Sequence, residues 1–207
     1  MKQLIILISL IFATNSIFSQ DSSKFFFDEF NFSFNKINLN DKNIEDMNGF
    51  GFGIYHTYFA NKPYNVIFGL EYNLTRYFIK YVNIDSPAGH GTNETDNLNS
   101  LVIPCGLRYS MGYKIKFFIE SSVYLDLLFR KRSRGTMLMN VGDLKEYQYE
   151  NKESTASLGY NLGLGIQIPI STYYFIIKPD YCYSKFYSSG ILIYNKYFRI
   201  SLGIKIF

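Results

Sequence analysis

Long stretches of the chain alternate between apolar and polar side chains. Neighbouring side chains in a strand point to opposite faces, so a period of two marks a two-faced strand. The clearest run covers 155–170. One face reads Ala156, Leu158, Tyr160, Leu162, Leu164, Ile166, Ile168 and Ile170; the other reads Thr155, Ser157, Gly159, Asn161, Gly163, Gly165, Gln167 and Pro169. A helix would mix the two sets. The same alternation marks 115–129, 99–111, 64–78 and 198–206, and more loosely 26–34, 49–60 and 173–186. Eight strands are therefore expected, an even number, as bacterial membrane barrels require.

The connections alternate as well. Short ones fall at 61–63, 112–113 and 171–172; long ones at 35–48, 80–98 and 130–153, with a shorter last one at 188–193. Short turns on one rim and long loops on the other are the pattern of an up-and-down barrel in an outer membrane. An even strand count puts both termini on the short-turn side, which faces the periplasm in such barrels.

The start of the chain fits export. Lys2 is followed by an apolar run from Leu4 to Phe12, broken only by Ser9, and then by Thr14, Asn15 and Ser16. This layout predicts a secretory signal peptide over 1–20 and a barrel domain over 21–207. The apolar run is too short for a membrane anchor. No later segment is apolar enough for a transmembrane helix, so a membrane-spanning mature chain must cross as strands.

The rival fold is a soluble eight-stranded barrel of the lipocalin kind, which turns its apolar face inward. Here the polar face is rich in Gly and Ser, which suits a crowded interior. It also carries opposite charges that can pair there: Glu71, Arg108, Lys116, Glu120, Asp126, Lys178, Asp180 and Arg199. Tyr58, Tyr64, Tyr109, Tyr113, Tyr173 and Tyr174 lie near strand ends, where an interfacial girdle would sit. Composition agrees with an all-β, eight-stranded transmembrane barrel. Aromatic residues make up 19% and charged residues 18%, with 20 Phe, 19 Tyr and no Trp. A net charge of +4 is too modest and too dispersed to suggest nucleic acid.

Two stretches carry a resemblance. Ser100-Leu101-Val102-Ile103-Pro104 with Gly106-Leu107-Arg108-Tyr109, and the ending Ser201 to Phe207, resemble strands of the PorT-like outer-membrane barrels of Bacteroidetes. The closing strand departs from that pattern in one respect: Ile206 is in the lipid-facing phase and Phe207 is one step out. The resemblance implies an outer-membrane barrel, and membership of a protein-secretion assembly as one possible role.

Candidate chemistry is sparse. His56 falls on the lipid-facing phase and His90 in a Gly-rich loop, and nothing sets either beside the Ser and carboxylate a surface lipase would need. Gly49, Gly51 and Gly53 open no helix and precede no Lys-Ser/Thr, so they read as close packing on one strand face rather than a phosphate loop. Cys105 and Cys182 fall on opposite faces of the wall, so no disulfide is expected. No catalytic, cofactor or metal site is expected. A wall of eight strands is wide enough only for its side chains, which argues against a diffusion porin. The densest basic cluster is Arg130, Lys131, Arg132 and Arg134, at the start of the longest loop. Exposed there, it would meet the phosphates of lipopolysaccharide; otherwise it is a solvated loop. The expectation is a structural or interaction barrel, with membrane lipid, lipopolysaccharide and other envelope proteins as candidate partners.

Overall fold

The computed structural model describes residues 27–37, 44–45, 48–80, 89–139, 143–151, 155–188 and 191–206. The expected signal peptide lies outside the described residues. Among the described residues there are ten strands: β1 (Glu29–Ile37), β2 (Ile44–Glu45), β3 (Asn48–Tyr58), β4 (Tyr64–Ile79), β5 (Gly89–Met111), β6 (Lys116–Met139), β7 (Leu144–Asn151), β8 (Thr155–Ile170), β9 (Tyr173–Ser188) and β10 (Ile191–Ile206). Eight of them form a closed ring of antiparallel neighbours, in the order β1, β3, β4, β5, β6, β8, β9, β10 and back to β1. The short β2 pairs with β4, and β7 pairs with β6 alone.

The barrel is apolar outside and polar inside. Leu158, Val123 and Leu164 on the outer wall are 76%, 64% and 60% exposed. Glu29, Glu71, Arg108, Lys178 and Arg199 are buried in the lumen. The lipocalin alternative is thereby corrected, because a soluble barrel would bury the face that is exposed here. Exposed Phe, Leu, Ile and Tyr run around all sides of the wall, far beyond the apolar patches of a soluble monomer, and hydrocarbon is the surrounding they fit. The barrel spans a membrane.

The turn rim is tight. Gly112 sits at φ 111°, and a side chain there would run into the carbonyl of Ile115. Tyr64 and Tyr109 pack with ring centroids 4.8 Å apart near this rim, and Tyr113 is 93% exposed.

The other rim departs from expectation. The described residues within the loops expected over 80–98 and 130–153 are nearly all strand: β5 begins at Gly89, β6 runs on to Met139, and β7 adds a third strand. His90 is therefore a strand residue, opposite Leu138. Beyond the apolar belt both faces of β5 from Asn93 to Asn97 and of β6 from Arg130 to Thr136 are polar, so no apolar alternation announces them. A register shift between Asn99 and Ser100 leaves Phe129 without a partner and resets the phase of β6. Below the shift Asp126 and Leu128 point inward; above it Lys131, Ser133 and Gly135 face in, and Arg130, Arg132 and Arg134 face out.

Gly165 shows how closely the lumen is packed. A Cβ there would collide with the ring of Phe118, and the Arg108 guanidinium lies 4.3 Å from that ring. Gly165→Val should displace Phe118 and Arg108 together. The expected cost is about 1–3 kcal/mol, read as a lower urea midpoint in lipid vesicles.

Candidate functional site: the charged lumen and the rim sheet

The lumen carries one chain of ion pairs contributed by six strands. Arg108 of β5 forms a two-pronged pair with Glu29 of β1 at 2.7 and 2.9 Å. The same guanidinium donates to Glu120 of β6 at 2.7 and 2.9 Å. Lys178 of β9 bridges Glu120 at 2.7 Å and Asp180 at 3.6 Å. Arg199 of β10 grips Asp180 with two bonds of 2.8 Å and reaches Glu71 of β4. The Tyr55 hydroxyl donates to Glu71 at 2.5 Å. Planar guanidinium forks matched to carboxylates make each of these links specific in geometry.

Six residues picked out by sequence thus meet in one network: Glu71, Arg108, Glu120, Lys178, Asp180 and Arg199. Two do not join it. Lys116 is corrected to the turn rim, where its ammonium lies 5.0 Å from the Tyr174 ring centroid. Asp126 is inward and buried, but it faces Ser157 and has no ion pair among the described residues. Sequence reasoning missed Glu29 and Tyr55. Glu29 opens a Phe-rich strand, and only the register shows that it faces Arg108.

The basic cluster is divided by the wall. Arg130 and Arg132 face outward and share Glu150 of β7, at 2.8 and 3.4 Å. Arg134 donates to Gln148 at 3.1 Å. Lys131 turns inward to Asp96 of β5 at 2.8 Å, which corrects the four-residue cluster to three outward guanidiniums and one inward ammonium. Asp96 also accepts from Ser133, and Tyr147 of β7 donates to Glu94 at 2.6 Å. The outward positions at this level are Asn97, Arg76 and Arg132, so these groups stand beyond the apolar belt. Burial pushes the Glu94 carboxyl above its ordinary range, and Asp96 beside it adds to the effect. Burial works the same way on Asp96, but the Glu94 hydrogen bond and the Lys131 ammonium outweigh it and hold Asp96 below its ordinary value.

The remaining candidates stay apart. His56 is partly buried, 3.8 Å from Asp28 and edge-on to Tyr58, and the β3–β4 turn places it toward the rim opposite His90. Cys105 is exposed on the wall, Cys182 is buried in the lumen, and both are free thiols. Among the described residues no group of three or more His, Cys, Asp or Glu is placed to hold a metal.

No family model matches the chain. No curated protein matches it. Solved structures do. One is Ail, the attachment invasion locus protein of Yersinia pestis, in complex with the heparin analogue sucrose octasulfate. It is 15% identical, covers 86% of this chain and 94% of its own, and has a TM-score of 0.45. Neisserial surface protein A is 14% identical over 87% of this chain and 95% of its own, at 0.44. The N-terminal β-barrel domain of Pseudomonas aeruginosa OprF is 13% identical over 86% and 96%, at 0.32. Likeness at this level carries no argument, and the fold rests on the strand pairing described above.

Proposed function

We propose that this chain is an exported outer-membrane protein whose sealed barrel carries an interaction sheet beyond the membrane surface. The observation that supports this most is the β5–β6–β7 sheet. It continues past the apolar belt, is tied down by Lys131–Asp96 and Tyr147–Glu94, and presents Arg130, Arg132 and Arg134 outward. In this reading the turn rim faces the periplasm and the sheet faces outside. Its guanidiniums contact the phosphates of surface glycolipid, with Glu150 moderating their charge. A wall of eight strands is about filled by its own side chains, which supports a role in interaction rather than conduction.

The test replaces Arg130, Arg132 and Arg134 with Gln. Binding of purified lipopolysaccharide should weaken about tenfold at low salt, and the gap should close as salt screens the exposed charges. Tags in the β6–β7 hairpin should be reached from outside intact cells, while tags at Asn61 should not. Unchanged binding would remove the glycolipid role; labelling only at Asn61 would reverse the topology. The PorT-like resemblance of 100–109 and 201–207 favours a second reading, a subunit of a secretion assembly. A stable multi-protein complex after gentle detergent extraction would favour that reading instead.

A further inference from the structure

The outer wall has a cleft of about 470 Å³ where β1, β3, β4 and β10 meet. Phe34, Phe50 and Ile200 line its apolar part, and Lys36, Asn48 and Arg76 its polar part. The register explains the layout. Phe34 lies opposite Phe50 and Ile200, Phe50 lies opposite Leu74, and Lys36 lies opposite Asn48. One residue pair nearer the loop rim, the outward positions on β1 and β4 change to the cations Lys36 and Arg76, with the neutral Asn48 between them on β3, while Phe198 keeps the β10 side aromatic.

Lys36 and Arg76 have no ion pair among the described residues, whereas Arg130 and Arg132 already share Glu150. Two cations lining one cleft repel each other, and an anion between them relieves the repulsion. The apolar part directly beneath excludes a free soluble anion as the full occupant, because exposed Phe34 and Phe50 need hydrocarbon against them. An amphiphile with phosphate above acyl chains satisfies both halves.

We propose that this cleft binds lipid A, with a phosphate between Lys36 and Arg76 and an acyl chain against Phe34, Phe50 and Ile200. The choice of lipid A over a glycerophospholipid rests on the proposed orientation, which sets the loop rim in the glycolipid leaflet. The site is separate from the rim sheet. It shares no residue with Arg130, Arg132 or Arg134, so the two can fail independently.

Native mass spectrometry of the full barrel in dodecyl maltoside, with added lipid A, dephosphorylated lipid A or phosphatidylglycerol, tests the assignment. Lipid A should be retained about tenfold better than either of the others. The Lys36→Gln/Arg76→Gln variant should lose that margin, and Lys36→Arg/Arg76→Lys should keep it. Both variants should still migrate as folded barrels in unheated gels. Equal retention of dephosphorylated lipid A or of phosphatidylglycerol would overturn the site, as would unchanged retention by the Gln variant. Loss only in the Arg130/Arg132/Arg134 variant would move the phosphate to the sheet, overturning the cleft while sparing the proposed function.

Discussion

Replacing Arg108 with Met is expected to cost the folded barrel about 3–5 kcal/mol, the penalty for leaving buried charge without its partner. Arg108 is the cation that joins Glu29 to Glu120, and all three side chains are almost fully buried. Without it Glu29 loses both bonds of its two-pronged ion pair and keeps only the Asn31 amide among the described side chains, while Glu120 keeps Lys178. Most of the penalty should therefore fall on Glu29. Arg108→Met/Glu29→Gln should recover a large part of the loss, since a neutral amide costs far less to bury than a carboxylate. Urea midpoints in lipid vesicles, read by the gel shift between folded and heated protein, measure both variants. A loss for Arg108→Met below about 1 kcal/mol, or no recovery in the double variant, would mean that the network does not hold the barrel as described.

That result would follow from the inverted layout of the molecule. A soluble domain gains most of its stability from an apolar interior, but here the large exposed apolar face of the wall meets hydrocarbon. Polar pairing shares the lumen with an inward apolar cluster of Tyr77, Leu98, Leu128, Cys182 and Tyr197, and in an enclosed interior each polar link is strong when satisfied and costly when broken. The proposed absence of a conducting path has the same origin, since these side chains occupy the bore of an eight-stranded wall.

Wherever one face of a strand met hydrocarbon, the sequence was legible. The alternation at 155–170 predicted β8 at its observed bounds, because every second residue there had to be apolar. The lumen charges were legible for the same reason, as the polar half of two-faced strands. Legibility stopped at the membrane surface. Asn93, Thr95 and Asn97 on β5 and Arg132 and Arg134 on β6 carry no apolar phase, so a strand there reads as a loop. The unpaired Phe129 added a second obstacle. A simple count from Asp126 puts Arg130 and Arg132 inside and Lys131 outside, and one extra residue reverses that. Lys36 and Arg76 lie 40 positions apart and were unremarkable until strand register set them in one cleft.

The rim sheet should respond to pH in a direction fixed by its charges. Around Glu94 and Asp96 stand Tyr77 of β4, Lys131 and Ser133 of β6, and Tyr147 and Tyr149 of β7. The Lys131 ammonium is the cation among them, and it faces two carboxylates. Asp96 is held below its ordinary range, so its contribution is present above that range and lost as pH falls through the lowered value. Glu94 is held above its ordinary range, so its contribution is present at low pH and lost as pH rises through the raised value. Between the two the pair keeps one proton and balances Lys131. Lys131→Met removes the cation, so once pH rises through the raised Glu94 value both carboxylates should be left charged and uncompensated. The expected loss is about 3 kcal/mol, at the low end for a buried pair because Lys131 is partly exposed. Hydrogen exchange should show it as about hundredfold less protection across β7, with the eight-stranded wall unaffected. Lowering the pH should restore part of that protection in Lys131→Met as the carboxylates take up protons, and Glu94→Gln in the same background should restore it where Glu94 would otherwise be ionised. Protection of β7 that stays unchanged in Lys131→Met, or that falls further as the pH is lowered, would show that the carboxylate pair does not anchor the sheet.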